Sequence, residues 1–258
     1  INEEETQLSN EFIDNGFIKK KVVDSESLEA IKKELEKIIN TYSEFENIPN
    51  IKLENIHNHI SPEHLNNFRL YCINAISERD YLRHSYYNVF KKYTDLIIGN
   101  ELAMQKRLNL SIQLPNDSSS LLTIHADTWS GDSPFETVCW LPMVDCIGTM
   151  SMFILPAYNY KYFEEKYPIL KDKDSNELLN SLKDKLIWVE IKYGEILVFN
   201  QNLPHGNIMN IEENTRWSFN CRFKSIFTPY KDKKIGEFFE PITLKASSKI
   251  GLKYKFPS

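Results

Sequence analysis

No stretch of this 258-residue chain approaches the roughly 20 consecutive apolar residues that a bilayer-spanning helix needs, so a helical membrane protein is not expected. Positive charge is in deficit: 31 Lys and Arg stand against 36 Asp and Glu, a formal net charge of -5, with the two signs interspersed. A nucleic-acid partner would need a basic face with stacking aromatics, so none is expected, while a local pocket leaves room for a small anionic substrate. Cysteine is scarce as well. The four residues Cys72, Cys139, Cys146 and Cys221 form no C-x-x-C pair, and three sit in apolar runs. They read as buried, reduced thiols of a cytoplasmic protein rather than as a disulfide framework. Residues 1–5 are acidic and lack the charge pattern of a signal peptide. Internal repeats and low-complexity segments are absent too.

What remains is enough for a sizeable core. One domain is expected over 1–258, comprising a helical N-terminal cap (1–106), a β-rich core (107–226) interrupted by an insertion at 157–185, and a C-terminal extension (227–258). In the cap, Leu28, Ile31, Leu35, Ile38 and Tyr42 recur at helical spacing behind Asp24 and Ser25 as cap candidates. Ser61-Pro62-Glu63 opens a second helix with Pro at its first position, running to about Ile76, and a third covers 81–93.

After residue 107 the period shortens to that of strands, at 108–113, 121–125, 135–141, 150–155, 186–191, 196–199, 206–210 and 216–224. Eight short strands after a helical start suggest a mainly β protein with N-terminal helices, a double-stranded β-helix or jelly roll packed against α-helices. Tyr193-Gly194-Glu195 reads as a tight turn between the fifth and sixth strands. The insertion is charged, Tyr- and Lys-rich and helical near 177–182; it reads as a surface excursion or as a lid over the pocket.

The last strand carries the sharpest pattern. Arg216, Ser218, Asn220, Arg222 and Lys224 alternate with Trp217, Phe219, Cys221 and Phe223. Either the polar face meets water at a sheet edge, or the apolar face packs outward on the N-terminal helices and the polar face lines an interior that takes a dicarboxylate. Arg suits such a ligand because its planar guanidinium pairs a carboxylate in bidentate fashion, and Ser218 adds a hydroxyl.

Metal chemistry enters with His125-Ala126-Asp127 and Leu203-Pro204-His205-Gly206. Two imidazoles and one carboxylate can form the 2-His-1-carboxylate face that suits non-heme Fe(II) and leaves open coordination positions. An isolated H-x-D arises readily by chance. Here residues two apart on a strand end share a face, so His125 and Asp127 can converge with His205, which follows Pro204.

In their order along the chain these residues resemble the Fe(II)- and 2-oxoglutarate-dependent dioxygenases, in particular the phytanoyl-CoA dioxygenase-like branch. Phe12-Ile13-Asp14-Asn15-Gly16-Phe17, the H-x-D, the Pro-His-Gly and the Arg-x-Ser carry the likeness over most of the chain. The run from His125 through Trp129, Asp132 and Glu136 to Trp140-Leu141-Pro142 is similar to oxygenases found sporadically in carbohydrate-biosynthesis clusters. The resemblance implies that His125, Asp127 and His205 hold Fe(II) and that 2-oxoglutarate chelates it, with its far carboxylate on Arg216 and Ser218. O2 would be the co-substrate, succinate and CO2 the co-products, and a carbohydrate, nucleotide-sugar or aminocyclitol-type small molecule the oxidised substrate, most simply by hydroxylation.

Further expectations concern single residues. Gln113 is a candidate to touch 2-oxoglutarate; Trp129, Asp132, Asn207, Asn220 and Arg222 are candidates for substrate contact. His57-Asn58-His59 lacks a third ligand at zinc spacing, while His64 and His84 read as ordinary helical positions. The runs 19–21 and 231–234 read as solvated lysines. Two alternatives stay open: the same chemistry on an amino acid, a lipid-derived acid or a protein side chain, and a non-oxidative cupin-like isomerase or sugar-binding protein that would have no need of Arg216.

Overall fold

Asp24 accepts a hydrogen bond from the Ser27 amide at 3.0 Å, and behind this cap α2 (Ser25–Asn40) buries Leu28, Ile31, Leu35 and Ile38 on one face. The computed structural model describes residues 2–257 except 46, 47 and 49. Expected helices follow as α3 (Pro62–Ser77) and α4 (Asp80–Ile97). A further helix, α1 (Glu3–Asn15), precedes them; it is mostly polar and carries one buried residue, Leu8, which left little periodic signal. It ends at Gly16, whose φ of 79° is easy only without a Cβ, and the chain turns directly into β1 (Phe17–Lys21).

Strands come next as β2 (Leu102–Gln105), β3 (Asn109–Gln113), β4 (Thr137–Pro142), β5 (Met152–Ile154), β6 (Ile187–Val189), β7 (Glu195–Asn200), β8 (His205–Gly206), β9 (Arg216–Ser225) and β10 (Phe239–Pro241). They form two antiparallel sheets. The larger has the order β1-β7-β4-β9-β2-β10 with β3 also on β9, and the smaller the order β6-β5-β8. The ten-residue β9 is the keel: β4 lies along one edge, and β2 and β3 lie end to end along the other.

Several expectations are corrected here. The stretch 1–106 is not purely helical, because β1 and β2 join the large sheet, and β10 of the C-terminal extension pairs with β2. Residues 121–125 form no strand; only a single bridge joins His125 to His205, and the Ser-rich approach 118–120 runs as a loop. The strand expected at 206–210 shrinks to His205–Gly206. Tyr193-Gly194-Glu195 does turn the chain into β7, with Gly194 at φ 88°.

The alternation on β9 resolves as the inverted reading. Trp217 meets Phe68 of α3 edge-on with centroids 6.0 Å apart, and Phe219 and Phe223 meet Tyr86 and Tyr87 of α4. Trp217 Nε1 donates to the Leu53 carbonyl at 2.7 Å, so the indole is satisfied at full burial. Arg216, Ser218, Asn220 and Arg222 face the opposite way, into a cavity between the sheets. All four cysteines are free and buried. Among the described residues no helix is long and apolar enough to cross a membrane.

The insertion folds as α5 (Tyr160–Leu170) and α6 (Ser175–Leu182), the second near its expected place. On β5, Met152 faces the cavity, whereas Phe153 and the following Leu155 pack with Phe163, Leu170, Leu178 and Leu182 in a second apolar core. No residue of 157–185 lines the cavity, so the insertion backs the small sheet instead of covering the pocket.

Candidate metal centre and anion pocket

Gly206 explains how two sequence-distant segments meet. A Cβ at this position would lie 2.7 Å from the Leu122 carbonyl oxygen and 2.7 Å from the Phe153 ring. Without one, the Leu122 segment lies against β8, and the His125 and His205 amides each donate to the other's carbonyl at 3.0 and 2.8 Å. The Leu122 amide donates to the Asn207 side-chain oxygen at 2.8 Å, and the Asn207 amide donates to the Leu122 carbonyl at 2.9 Å. Asp127 opens a short 3-10 turn (Asp127–Ser130), and its amide is held by the Gln201 carbonyl at 3.1 Å.

This backbone brings one ligand atom each from His125, Asp127 and His205 within 4.8 Å of one another. The imidazoles are oriented alike: Nδ1 of His125 lies 2.7 Å from the Thr123 carbonyl, and Nδ1 of His205 lies 2.8 Å from the Leu203 carbonyl. A carbonyl only accepts, so each Nδ1 carries a hydrogen and each Nε2 is the nitrogen turned to the common point. Burial first, then the neighbouring His125, pushes His205 down to about 4, which keeps that ring unprotonated near neutral pH. Burial alone would raise the Asp127 carboxyl; Arg222 first, then His205, outweigh it and hold the group below its ordinary value. Such a set can take a metal ion, and three ligands leave further coordination positions for other molecules.

Beside this face lies a cavity of about 490 Å³, in the range of small-molecule sites. Arg216 is 3 % exposed, its guanidinium 5.4 Å from the Trp140 ring centre, and Nη1 donates to Gln113 Oε1 at 3.3 Å. Arg216 Nε and Ser218 Oγ are buried without a hydrogen-bond partner. A buried cation and two orphaned polar atoms on one cavity wall fit an incoming carboxylate, since leaving such groups unmade costs about 1–3 kcal/mol each.

Other expected site residues fall in different places. Gln113 is fully buried behind Arg216 and does not line the cavity; its amide nitrogen donates to the Ile208 carbonyl at 2.7 Å. Trp129 stacks on Phe163 with centroids 5.8 Å apart, which ties the H-x-D turn to the insertion and away from the cavity. Asp132 is occupied by Lys233 at 2.5 Å and Arg222 at 3.6 Å. Lys233 is therefore not a merely solvated lysine, whereas Lys19 and Lys20 make surface pairs with Glu195 and Glu11. Asn207 and Asn220 line the cavity, although Asn207 is engaged with Leu122 and Asn220 accepts from Asn109 at 2.9 Å. Arg222 also lines it, with Nη2 2.9 Å from Asp127 Oδ2 and Nε donating to Gln201 Oε1 at 3.0 Å.

His57 lies 2.9 Å from the Thr215 hydroxyl and helps seat the start of β9; among the described residues His57 and His59 join no metal-competent cluster. Sequence reasoning missed Arg69, which reaches the cavity from α3. Its only signal was a cation on a half-apolar helix, which is indistinguishable from a surface residue without the tertiary fold.

No family model matches the chain, and no curated protein matches its sequence. Solved structures do match its fold. A structure titled "Non-heme monooxygenase, ThoJ-Ni complex" aligns with 12% identity over 92% of this chain and 84% of that one, TM-score 0.59. The epimerase SnoN in complex with Fe3+, alpha ketoglutarate and nogalamycin RO aligns with 12% identity over 88% and 86%, TM-score 0.55. HygX from Streptomyces hygroscopicus, with nickel and 2-oxoglutarate bound, aligns with 14% identity over 91% and 90%, TM-score 0.53. The chain thus shares the helix-and-antiparallel-sheet fold of these enzymes.

Proposed function

We propose that this protein is an Fe(II)- and 2-oxoglutarate-dependent oxygenase built on a double-stranded β-helix, oxidising a C–H bond of a carbohydrate, nucleotide-sugar or aminocyclitol-type small molecule, most simply by hydroxylation. The observation that carries this reading is the sharing of one cavity by the convergent His125, Asp127 and His205 and by the buried Arg216 and Ser218 with their orphaned atoms. A non-oxidative metal protein has no use for that second group. The fold shared with SnoN and HygX, solved with alpha ketoglutarate or 2-oxoglutarate, supports it.

When bound, Fe(II) with 2-oxoglutarate and O2 supplies the oxidation of an unactivated C–H bond, with succinate and CO2 as co-products. The chain's own residues do the positioning. His125 and His205 offer Nε2 because Thr123 and Leu203 fix the opposite ring nitrogen. Asp127 joins them while Arg222 holds its outer oxygen. Arg216, stacked on Trp140 and propped by Gln113, takes the far carboxylate of 2-oxoglutarate together with the Ser218 hydroxyl. Val138, Met152 and Phe199 form an apolar wall that limits water in the cavity. Asn109, Ser111 and Asn220 line it with amide and hydroxyl groups able to exchange hydrogen bonds with a polyhydroxylated substrate.

An anaerobic titration of apo-protein with Fe(II) and 2-oxoglutarate tests this reading through the visible charge-transfer band of a metal-chelated keto acid. The expected band is lost in His205→Ala and weakened in Arg216→Ala. Fe(II) binding with no band in the wild type would refute the oxygenase reading.

A further inference from the structure

Three arginines line the cavity, and two of them already have counter-charges under the reading above: Arg222 has Asp127, and Arg216 has the 2-oxoglutarate carboxylate. Arg69 has none. It rises from α3 on the helical side of the large sheet and passes the open edge of β3. There its Nη2 donates to the Ile112 carbonyl at 3.1 Å and to the Ser120 hydroxyl at 2.5 Å. Both bonds use the same nitrogen, and among the described residues Nε and Nη1 have no hydrogen-bond partner and the guanidinium forms no ion pair. Asp117 is near enough to favour its charge, but the Asp117 carboxylate is occupied by the Ser119 amide at 3.0 Å and the Ser119 hydroxyl at 2.6 Å.

A clamp on one sheet-edge carbonyl and one hydroxyl accounts for a hydrogen-bond donor at this position, and a neutral side chain would serve for that. It does not account for a half-buried permanent cation beside a pocket, whose charge is costly to desolvate unless matched. Burial indeed lowers the Arg69 pKa from its ordinary value. The Nε–H and Nη1–H groups remain as donors that can each reach an oxygen of a carboxylate or phosphate.

Resting on the oxygenase reading, we infer that Arg69 is a specificity-determining residue that binds an anionic group of the substrate, a carboxylate or a phosphate, within the cavity it shares with His125 and Arg216. The favoured substrate is then an acidic sugar or a sugar phosphate rather than a neutral one, and the neutral congener is discriminated against because it leaves the Arg69 charge unmatched.

Methylphosphonate and acetate serve as probes, each carrying a methyl group visible by saturation-transfer NMR. The protein is loaded with diamagnetic Zn(II) and saturated with 2-oxoglutarate, so that Arg216 is already occupied; an Arg216→Ala background repeats the comparison without it. At least one probe is expected to take saturation from the wild-type protein, with affinity about tenfold weaker in Arg69→Gln and intermediate in Arg69→Lys. The stronger probe identifies the phosphate or the carboxylate as the favoured group. Far-UV circular dichroism verifies that the variants fold, and Arg69→Lys, which keeps the charge, decides the question if Arg69→Gln does not. Equal signals in wild type and Arg69→Gln, or no signal from either probe in the loaded wild type, would overturn the inference. Binding of 2-oxoglutarate is followed separately by calorimetry: its absence would sink the oxygenase reading, while the role of Arg69 is still read from the probes.

Discussion

Arg222 holds the Asp127 carboxylate from behind, with Nη2 2.9 Å from Oδ2, while Oδ1 lies 3.6 Å from His125 Nε2. One oxygen is thus restrained and the other left toward the histidines. Arg222 is itself fixed by Gln201 and by the field of Asp132 and Glu136, so the Asp127 carboxylate is oriented by a buried charge network and not by its own loop alone.

Arg222→Ala is therefore expected to weaken metal affinity by roughly 10–100-fold without removing any ligand. Equilibrium dialysis with Co(II), on protein shown to be folded, measures this. Wild-type affinity in the variant would reduce Arg222 to a purely structural cation.

Gly206→Ala forces a methyl group against the Leu122 carbonyl and the Phe153 ring. The expected cost is about 1–3 kcal/mol of stability, accompanied by weaker metal binding because the two histidine segments separate. Urea unfolding and a metal titration of the same variant read both effects; a loss of stability with unchanged metal binding would show that the segments can relax elsewhere.

Arg216 and Gln113 should separate in degree. Loss of the guanidinium in Arg216→Ala raises the Kd for 2-oxoglutarate by roughly 10–100-fold, whereas Gln113→Leu, which only frees Nη1, raises it by roughly threefold. Calorimetry on the Ni(II)-loaded protein compares them. Equal losses would place Gln113 in direct contact with the ligand.

Trp129→Ala removes the stack on Phe163 and is expected to cost about 1 kcal/mol, felt in the docking of α5. Limited proteolysis within 157–185 should accelerate while metal and 2-oxoglutarate binding persist. Loss of binding instead would restore Trp129 to the site.

For the metal-free protein, His205 sets a pH dependence of definite sign. Its pKa falls from 6.5 in the unfolded chain to about 4 in the fold, so between these values only the unfolded chain takes the proton. Its contribution, up to about 3 kcal/mol, is fully present above the unfolded pKa and is lost as pH falls toward 4. Urea midpoints from pH 7.5 to 4.5 should therefore fall less steeply in His205→Gln; parallel curves would contradict this origin.

Much of this protein is written locally. Asp24 and Ser61-Pro62 mark helix starts because capping is decided within a few residues, and the alternation from Arg216 to Lys224 marks a strand with two unlike faces because a pleated backbone has period two. The H-x-D and Pro-His-Gly segments were legible as ligand candidates because the chemistry resides in the side chains themselves. Less legible were short strands such as β10, whose three residues draw their hydrogen bonds from a partner more than 130 positions away, and the loop at 118–124, which is held by Asn207 and β8 instead of by a strand ladder.

Local sequence determined helices α2, α3, α4 and α6, the two-faced last strand and the inventory of metal-competent and anion-binding side chains. Only the tertiary structure decided that the polar face of β9 turns inward, that Gly206 lets the two histidine segments touch, that Gln113 and Trp129 themselves lie outside the cavity, and that Arg69 enters it. The reason is physical: propensity and periodicity act over a few residues, whereas a cavity is defined by the close packing of elements distant in sequence, and no single segment carries that information.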